Sequence, residues 1–230
     1  MDTLSPRTVL VAGGTGLVGS ACLRHLLARP AFGRVIAIGR RAPGLRDPRL
    51  EPRLVDLDAL DGLELPAIDV AFCALGTTIA NAGSQAAFKR VDFDGVLAFA
   101  RLAVRASARH FVLVSSVGAD AESRNFYLRV KGETEQAVAR LEFRAVSILR
   151  PGLLIGPRVE SRAAEAVARA VVPLANPLLV GPLRRYRAIS ADEVGAAMVS
   201  AAERDRPGQR VLEYDAIADL ARVAGQRPGL

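Results

Sequence analysis

A tyrosine and a lysine four residues apart are the residues of this chain whose types and spacing most clearly suggest chemistry. Tyr127 and Lys131 fall in a helical pattern, so both side chains lie on one face, one turn apart. A phenol ordinarily titrates near pH ~10, and a lysine cation beside it stabilises the phenolate and moves its pKa toward neutrality. The chain has two lysines and three tyrosines, and a single tyrosine has lysine at this spacing. The pair therefore favours acid–base catalysis over a solvated helix pair.

A hydroxyl group at the end of a neighbouring strand would complete such a site. The apolar run Phe111–Ser116 predicts a buried strand that ends in two serines. Ser116 at that end could hold a substrate carbonyl oxygen and share the path of the proton. The three side chains together predict chemistry on a carbonyl or an alcohol.

A glycine-rich loop near the N-terminus predicts a site for a nucleotide. The β-branched run Val9–Ala12 stops at a glycine cluster, and a helical pattern follows directly. One glycine allows a sharp turn, one lets the backbone approach a pyrophosphate, and one lets the helix pack on the sheet. Phosphate oxygens would then bind free amides at the helix N-terminus. With Gly14 the segment fits both G-x-G-x-x-G and G-x-x-G-x-x-G, and the predicted contacts are Gly13, Thr15, Gly16, Leu17, Val18 and Gly19.

The residues after the second predicted strand indicate which dinucleotide binds. An NAD site usually places a carboxylate about 20 residues past the glycines, whereas arginine there suits the 2′-phosphate of NADP. The strand Arg34–Gly39 ends in Arg40 and Arg41, with no carboxylate nearby. A planar guanidinium matches phosphate oxygens with two parallel hydrogen bonds. NADP, as NADPH, is therefore predicted over NAD, and its nicotinamide would supply the hydride.

Two further strand ends add contacts at the same crevice. The third predicted strand, Arg53–Leu57, would place Asp56 near the adenine amino group, and the fourth, Ile68–Gly76, ends in a glycine. Ligands bind at the carboxyl ends of parallel strands. The predicted cofactor contacts at these ends are Asp56, Leu57, Leu75, Gly76 and Thr77.

The elements that must position these residues alternate between strand and helix. The remaining patterns predict a long helix capped by Ser84, a helix over 124–140, a strand at 145–149, a helix over 189–203, a strand at 210–213 and a helix over 216–224. This alternation predicts an α/β fold, a doubly wound and mostly parallel sheet of the Rossmann type with helices on both faces. Residues 151–187, rich in proline and glycine around a helical patch at 162–171, predict a small loop-rich cap that selects substrate. A single domain over 1–230 is expected.

Composition excludes several classes of protein. The net charge is +7, but the arginines are scattered and no nucleic-acid reading motif occurs, so no nucleic-acid partner is predicted. No apolar run approaches the ~18 residues of a membrane span and no signal architecture precedes the first strand, so a cytoplasmic protein is expected. Cys22 and Cys73 fit small apolar residues in a reducing compartment. No metal site is predicted, because neither His25 nor His110 has a second ligand nearby.

Charged residues of the helices receive structural interpretations. Asp92 and Asp94 are expected to be solvated charges or charges on the N-terminal side of their helix, not a pair of catalytic acids. Glu133 and Glu135 are expected to support their helix by pairing with nearby arginines.

Together the motifs resemble the short-chain dehydrogenase/reductase superfamily and, within it, the atypical HIV Tat-interacting protein oxidoreductase family. The resemblance covers about residues 9–162. It is carried by the glycine loop and by Phe72-Cys73, Leu75–Thr78, Ala82-Gly83, Phe88, Arg90–Asp92, Asp94, Ser115-Ser116, Gly118–Asp120, Tyr127, Lys131–Glu133, Arg150–Gly152 and Glu160–Arg162.

This resemblance implies an NADP-binding Rossmann fold. It further implies a catalytic triad of Ser116, Tyr127 and Lys131, a structural role for Ser115, and a position near the nicotinamide for Pro151-Gly152.

Two functional hypotheses follow. The first is an NADP-dependent oxidoreductase acting on a small carbonyl or alcohol, with Tyr127 as acid–base, Lys131 as its activator and ribose anchor, and Ser116 as carbonyl binder. The alternative is a non-catalytic NADPH-binding redox sensor or regulatory scaffold, since a fold does not fix a function. Epimerase chemistry would need room for a nucleotide sugar that the compact cap does not offer. The long helices at 84–106 and 124–140 could form a homodimer interface or simply cover the sheet.

Overall fold

A seven-stranded parallel sheet forms the centre of the computed structural model, which describes residues 6–156 and 176–225. The strand order is β3-β2-β1-β4-β5-β6-β9, and each neighbouring pair is parallel. A two-stranded ribbon, β7-β8, lies apart from it. In chain order the strands are β1 (Arg7–Ala12), β2 (Phe32–Gly39), β3 (Leu50–Leu54), β4 (Val70–Cys73), β5 (His110–Val114), β6 (Ala145–Leu149), β7 (Leu154–Ile155), β8 (Ile189–Ser190) and β9 (Gly208–Leu212).

Helices follow most strands of the large sheet. In the described ranges they are α1 (Leu17–Leu27), α2 (Ile79–Ala82), α3 (Gln85–Lys89), α4 (Val96–Arg105), α5 (Phe126–Ala139), α6 (Ala191–Arg204) and α7 (Tyr214–Gly225). A π-helical turn at Arg90–Gly95 joins α3 to α4. Short 3₁₀ helices lie at Leu57–Gly62, Asn176–Leu178 and Gly181–Tyr186.

Apolar clusters on both faces of the sheet explain why its strands are continuously apolar. Val9 and Val11 of β1 pack in one cluster with α1, α6 and α7, whereas Leu10 packs in the other with α4 and α5. A strand buried on both faces has no polar side in its pattern. The doubly wound α/β fold predicted from the alternation of patterns is confirmed.

Several element boundaries lie a few residues from their predicted positions. The third strand ends at Leu54, so Asp56 lies beyond it and precedes a 3₁₀ helix. The helix predicted from residue 189 begins at Ala191, because Ser190 caps it in a reciprocal capping box with Glu193. The long helix predicted after Ser84 does begin there, since the Ser84 hydroxyl accepts the Ala87 amide, but a π turn interrupts it. The helical patch predicted at 162–171 lies outside the described residues.

His110, at the start of β5, is a buried histidine with polar neighbours. Its Nε2 lies 2.9 Å from the Ser147 hydroxyl and its Nδ1 3.6 Å from an Asp205 carboxylate oxygen. Burial lowers the pKa of His110 from 6.5 to about 4, although the Asp205 carboxylate opposes the shift. The folded chain therefore keeps this ring neutral over a pH range in which the unfolded chain binds a proton.

This depressed pKa predicts a loss of stability in mild acid. The contribution is fully present above pH 6.5 and is lost as the pH falls toward about 4, because only the unfolded state is protonated in that range. Between pH 7.5 and 5, in a His25→Gln background, the unfolding free energy should fall by roughly 2 kcal/mol more with His110 present than in His110→Gln. Urea unfolding at the two pH values measures this, and equal losses in both proteins would contradict it.

Candidate nucleotide-binding and catalytic site

The glycine loop after β1 is built by close backbone contacts. Gly13 has φ +81°, which favours glycine, and a Cβ there would lie 2.3 Å from the Ala74 carbonyl oxygen just after β4. A Cβ on Gly19 would lie 2.0 Å from the Gly13 oxygen. Two of the glycines therefore make the turn and seat the helix, as their spacing predicts.

The N-terminus of α1 is suited to an anion. Gly16 caps the helix without a side-chain hydrogen bond, and the first turn of α1 carries no acidic residue. The amides of such a turn lack partners within the helix, and the helix dipole favours negative charge there. Leu17, Val18 and Gly19 form this turn, so the loop fits a diphosphate group.

A groove of about 700 Å³ runs along the carboxyl ends of β1, β2 and β4. It brings together many of the residues predicted to bind the cofactor. Those lining it are Gly13, Thr15, Gly16, Arg40, Arg41, Asp56, Leu57, Leu75, Gly76 and Thr77. The remaining predicted residues, which do not line the groove, are Leu17, Val18, Gly19, Ser116, Tyr127, Lys131, Pro151 and Gly152.

The arginines at the groove fall into two groups. Arg40 and Arg41 are exposed and have no ion-pair partner in the described part of the chain. Arg90 and Asp58, by contrast, pair with each other beside the groove. Sequence analysis did not find this second pair, because 32 positions separate its members and no local pattern joins them.

Tyr127 and Lys131 share one face of α5, as their spacing predicts. The helix begins after Asn125, whose side chain accepts the Leu128 amide at 3.2 Å. The Tyr127 ring packs 5.3 Å from the ring of Phe88, and the Lys131 Nζ lies 6.0 Å from the centre of the Tyr127 ring. The tyrosine is half-buried and the lysine is buried.

Lys131 forms an ion pair with Asp92. Of the two interpretations of Asp92, the solvated one is wrong, whereas Asp92 does lie in the first turn of its helical segment. The Nζ and Oδ1 atoms lie 2.7 Å apart, and Asp92 is 0% exposed. The π turn carries this residue and places it toward α5, whereas Asp94 in the same turn is exposed as expected. Burial disfavours the ammonium, but the Asp92 carboxylate and Tyr127 outweigh that cost, so the pKa of Lys131 lies above its ordinary value.

Gly76 connects this ion pair to the groove. A Cβ on Gly76 would lie 3.4 Å from Asp92 Oδ1 and 3.6 Å from Lys131 Nζ. Because Gly76 also lines the groove, the lysine ammonium lies next to a residue of the groove wall. The predicted nucleotide residues and the predicted lysine thus meet at one glycine.

The two serines after β5 have different surroundings. Ser115 is buried and donates its hydroxyl hydrogen bond to Glu135, which also forms a two-pronged ion pair with Arg150. Ser116 is half-buried, with its Oγ 3.4 Å from the Val117 carbonyl oxygen. The expected pairing of Glu135 with an arginine is therefore confirmed, and this pair leaves Ser115 in a structural contact.

The segment after β6 packs beside Ser116. The Val117 amide donates a 3.0 Å hydrogen bond to the Pro151 carbonyl oxygen, and a Cβ on Gly152 would lie 2.5 Å from the Arg187 carbonyl oxygen. A backbone hydrogen bond of 3.1 Å from Asp120 to Leu128 joins the serine loop to α5. These contacts bring the predicted serine, tyrosine and nicotinamide segments into one region.

Residues 6–156 and 176–225 contain no cluster of three or more His, Cys, Asp or Glu residues able to hold a metal ion. No helix within them has both the length and the apolar character needed to cross a membrane. Cys22 and Cys73 are both buried as free thiols, and burial raises the pKa of each above its ordinary value.

Comparisons with known proteins match most of the chain. The sequence model of the NAD dependent epimerase/dehydratase family matches residues 9–214. The protein HTATIP2 of Rattus norvegicus is 41% identical over 169 residues, covering 71% of this chain and 69% of the relative. A protein named fmp52, mitochondrial, from Emericella nidulans is also 41% identical over 169 residues, covering 70% of this chain and 72% of the relative.

Solved structures share the fold at lower identity. MoeE5 in complex with UDP-glucose and NAD superposes with a TM-score of 0.66 and 19% identity, covering 96% of this chain and 83% of that one. Human epimerase family protein SDR39U1 with NADPH superposes with a TM-score of 0.62 and 21% identity, covering 97% of this chain and 82% of that one. At these identities the likeness shows the fold.

The comparisons correct the expected location. The absence of a signal pattern led to the expectation of a cytoplasmic protein, but several relatives from fungi are named mitochondrial. The expectation is therefore wrong by this finding. Its physical basis was weak, because a targeting signal is read by a receptor and leaves little trace in the packing of a domain.

Proposed function

Since the chain belongs to the NAD dependent epimerase/dehydratase family, we propose that it is an NADP-dependent oxidoreductase of the atypical short-chain dehydrogenase/reductase type. Its substrate would be a small carbonyl compound or alcohol. The observation that carries the proposal is the position of Lys131, whose Nζ lies next to Gly76 of the groove while Tyr127 shares its helix face.

Residues of the groove would hold the dinucleotide along its length. The amides of the glycine loop would bind the diphosphate, Asp56 and Leu57 the adenine, and the turn Leu75–Thr77 the middle of the cofactor. Lys131 would anchor the ribose, and Pro151-Gly152 would lie beside the nicotinamide. When bound, the cofactor supplies or accepts the hydride.

The protein itself would manage the proton. In the reductive direction Tyr127 donates its phenolic proton to the carbonyl oxygen as hydride reaches the carbon, and an alcohol results. Ser116 donates a hydrogen bond to the same oxygen, while the Lys131 ammonium stabilises the phenolate that remains. Oxidation of the alcohol runs through the same groups in reverse.

The choice of NADP over NAD rests on two arginines. Arg40 and Arg41 follow β2 at the groove, are exposed, and have no carboxylate partner among the described residues. A 2′-phosphate would supply the missing anion. The similar structures carry NAD in one case and NADPH in another, so this choice depends on the chain's own side chains.

One observation favours the non-catalytic alternative. The groove is lined by residues predicted to bind the nucleotide, whereas Ser116 and Tyr127 do not line it in the described part of the chain. A protein that binds NADPH and changes partners without turnover would need only these nucleotide-binding residues. The Tyr127→Phe variant separates the two functions.

Arg40→Ala should weaken NADPH binding and leave NADH binding almost unchanged. Loss of a charge-assisted contact to phosphate predicts about a 10- to 100-fold increase in Kd, since such contacts contribute ~1.5–3 kcal/mol. Fluorescence titration with both nucleotides measures this. Arg46→Ala is the matched control, because Arg46 is exposed in the same loop and does not line the groove. Equal affinity of the wild type for NADH and NADPH would contradict the assignment of NADP.

Tyr127→Phe should abolish turnover while NADPH still binds. Removing the acid–base group predicts a loss of at least about 100-fold in the NADPH-dependent reduction of small aldehydes. The decrease in NADPH absorbance measures the rate of reduction for each of a panel of aliphatic and aromatic aldehydes. The Tyr214→Phe variant is the control for removal of a hydroxyl elsewhere. Activity that survives in Tyr127→Phe would exclude this residue as the acid, and a wild type that binds NADPH without turnover would favour the sensor.

A further inference from the structure

Asp92 is held in place by contacts with two other elements. Its Oδ2 accepts the Thr77 amide at 2.9 Å, and its backbone oxygen accepts the Thr134 hydroxyl at 2.9 Å. Its Oδ1 faces the Lys131 Nζ. The loop after β4 and the helix α5 therefore fix both the backbone and the carboxylate of this one residue.

The π turn explains how an aspartate comes to lie in this interior position. Phe88 and Phe99, on the α-helices to either side, are fully buried, and so is Asp92 between them. A π turn adds one residue to the helix and changes the direction of the side chains within it. The carboxylate consequently points between the helix and the wall of the groove, and not into solvent.

Few other titratable groups influence the Lys131 ammonium. Asp92 faces it from the π turn, Cys73 from the end of β4, and Tyr127 from its own helix. Glu135, one turn further along α5, is taken up by Arg150 and Ser115. Within the described residues Asp92 is thus the carboxylate that balances the charge of Lys131.

We propose that Asp92 is a positioning residue for the reaction: its carboxylate holds the Lys131 ammonium in place next to Gly76 of the groove. The inference rests on the proposed function for its kinetic consequence, but the ion pair itself can be tested without substrate or nucleotide. A buried ammonium that loses its partner is costly, and a lysine in that position gives up its proton at lower pH.

Asp92→Asn isolates the charge. The asparagine keeps an oxygen that can accept the Thr77 amide and removes only the negative charge. We expect the Lys131 pKa to fall by at least about two units, and Lys89, which is half exposed beside Glu133, supplies the reference signal. Asp94→Asn is the matched control, because Asp94 lies in the same turn and is exposed.

Carbon-13 labelling of lysine makes the measurement direct, since the chain has two lysines and Lys89→Arg assigns their signals. The titration of the lysine Cε signals by NMR should show the shift in Asp92→Asn and none in Asp94→Asn. A Lys131 that titrates alike in the wild type and in Asp92→Asn would overturn the proposal.

Kinetics then separate this proposal from the proposed function. If the wild type reduces aldehydes, Asp92→Asn should lose activity as the pH rises through the lowered Lys131 pKa, and Asp94→Asn should keep the wild-type pH profile. A pH profile of Asp92→Asn identical to that of the wild type would contradict a positioning role. Absence of any turnover would contradict the proposed function and leave the NMR result standing.

A second variant covers the case in which Asp92→Asn folds poorly. Asp92→Asn/Lys131→Met removes both charges of the pair. If the carboxylate serves to compensate the ammonium, the double variant should have a higher Tm than Asp92→Asn alone. If the decrease in Tm of the double variant equals the sum of the decreases in Asp92→Asn and in Lys131→Met measured alone, the two groups act independently and the proposal is overturned.

Discussion

The buried ion pair between Lys131 and Asp92 joins the elements from which the site is built. Its ammonium comes from α5, its carboxylate from the π turn, and its position next to Gly76 fixes it to the end of β4. Removing two charges from water costs several kcal/mol for each ion, so the attraction between them has to offset that cost. The pair is therefore better understood as a device for placing one cation than as a source of stability.

The sheet topology explains why this cation meets a nucleotide groove. The strand order reverses beside β1, so the helices that follow β1 and β4 leave the sheet on opposite faces and a crevice opens between them. Gly13, after β1, approaches the Ala74 carbonyl oxygen, after β4, too closely for any side chain. Backbone therefore forms part of the wall of the crevice, and the Lys131 ammonium lies next to that wall at Gly76.

Local patterns were enough to predict much of this arrangement. The continuous apolar run Val9–Ala12 predicts a buried strand, and it does so because helices cover both faces of that strand. The four-residue spacing of Tyr127 and Lys131 predicts their shared helix face. Asp92 could not be placed, because a π turn leaves no signal in the pattern and an aspartate suggests solvent. The third strand was predicted too far along the chain. Its observed range, Leu50–Leu54, is an edge strand that contains Pro52 and exposed residues, and these weaken its apolar pattern.

Addition of NADP⁺ to protein labelled with carbon-13 at lysine tests whether Lys131 lies at the nucleotide site. We expect the Lys131 signal to shift in proportion to the nucleotide bound, because that ammonium lies next to Gly76 of the groove. Nucleotide that binds while the Lys131 signal stays in place would show that Lys131 is not part of the nucleotide site.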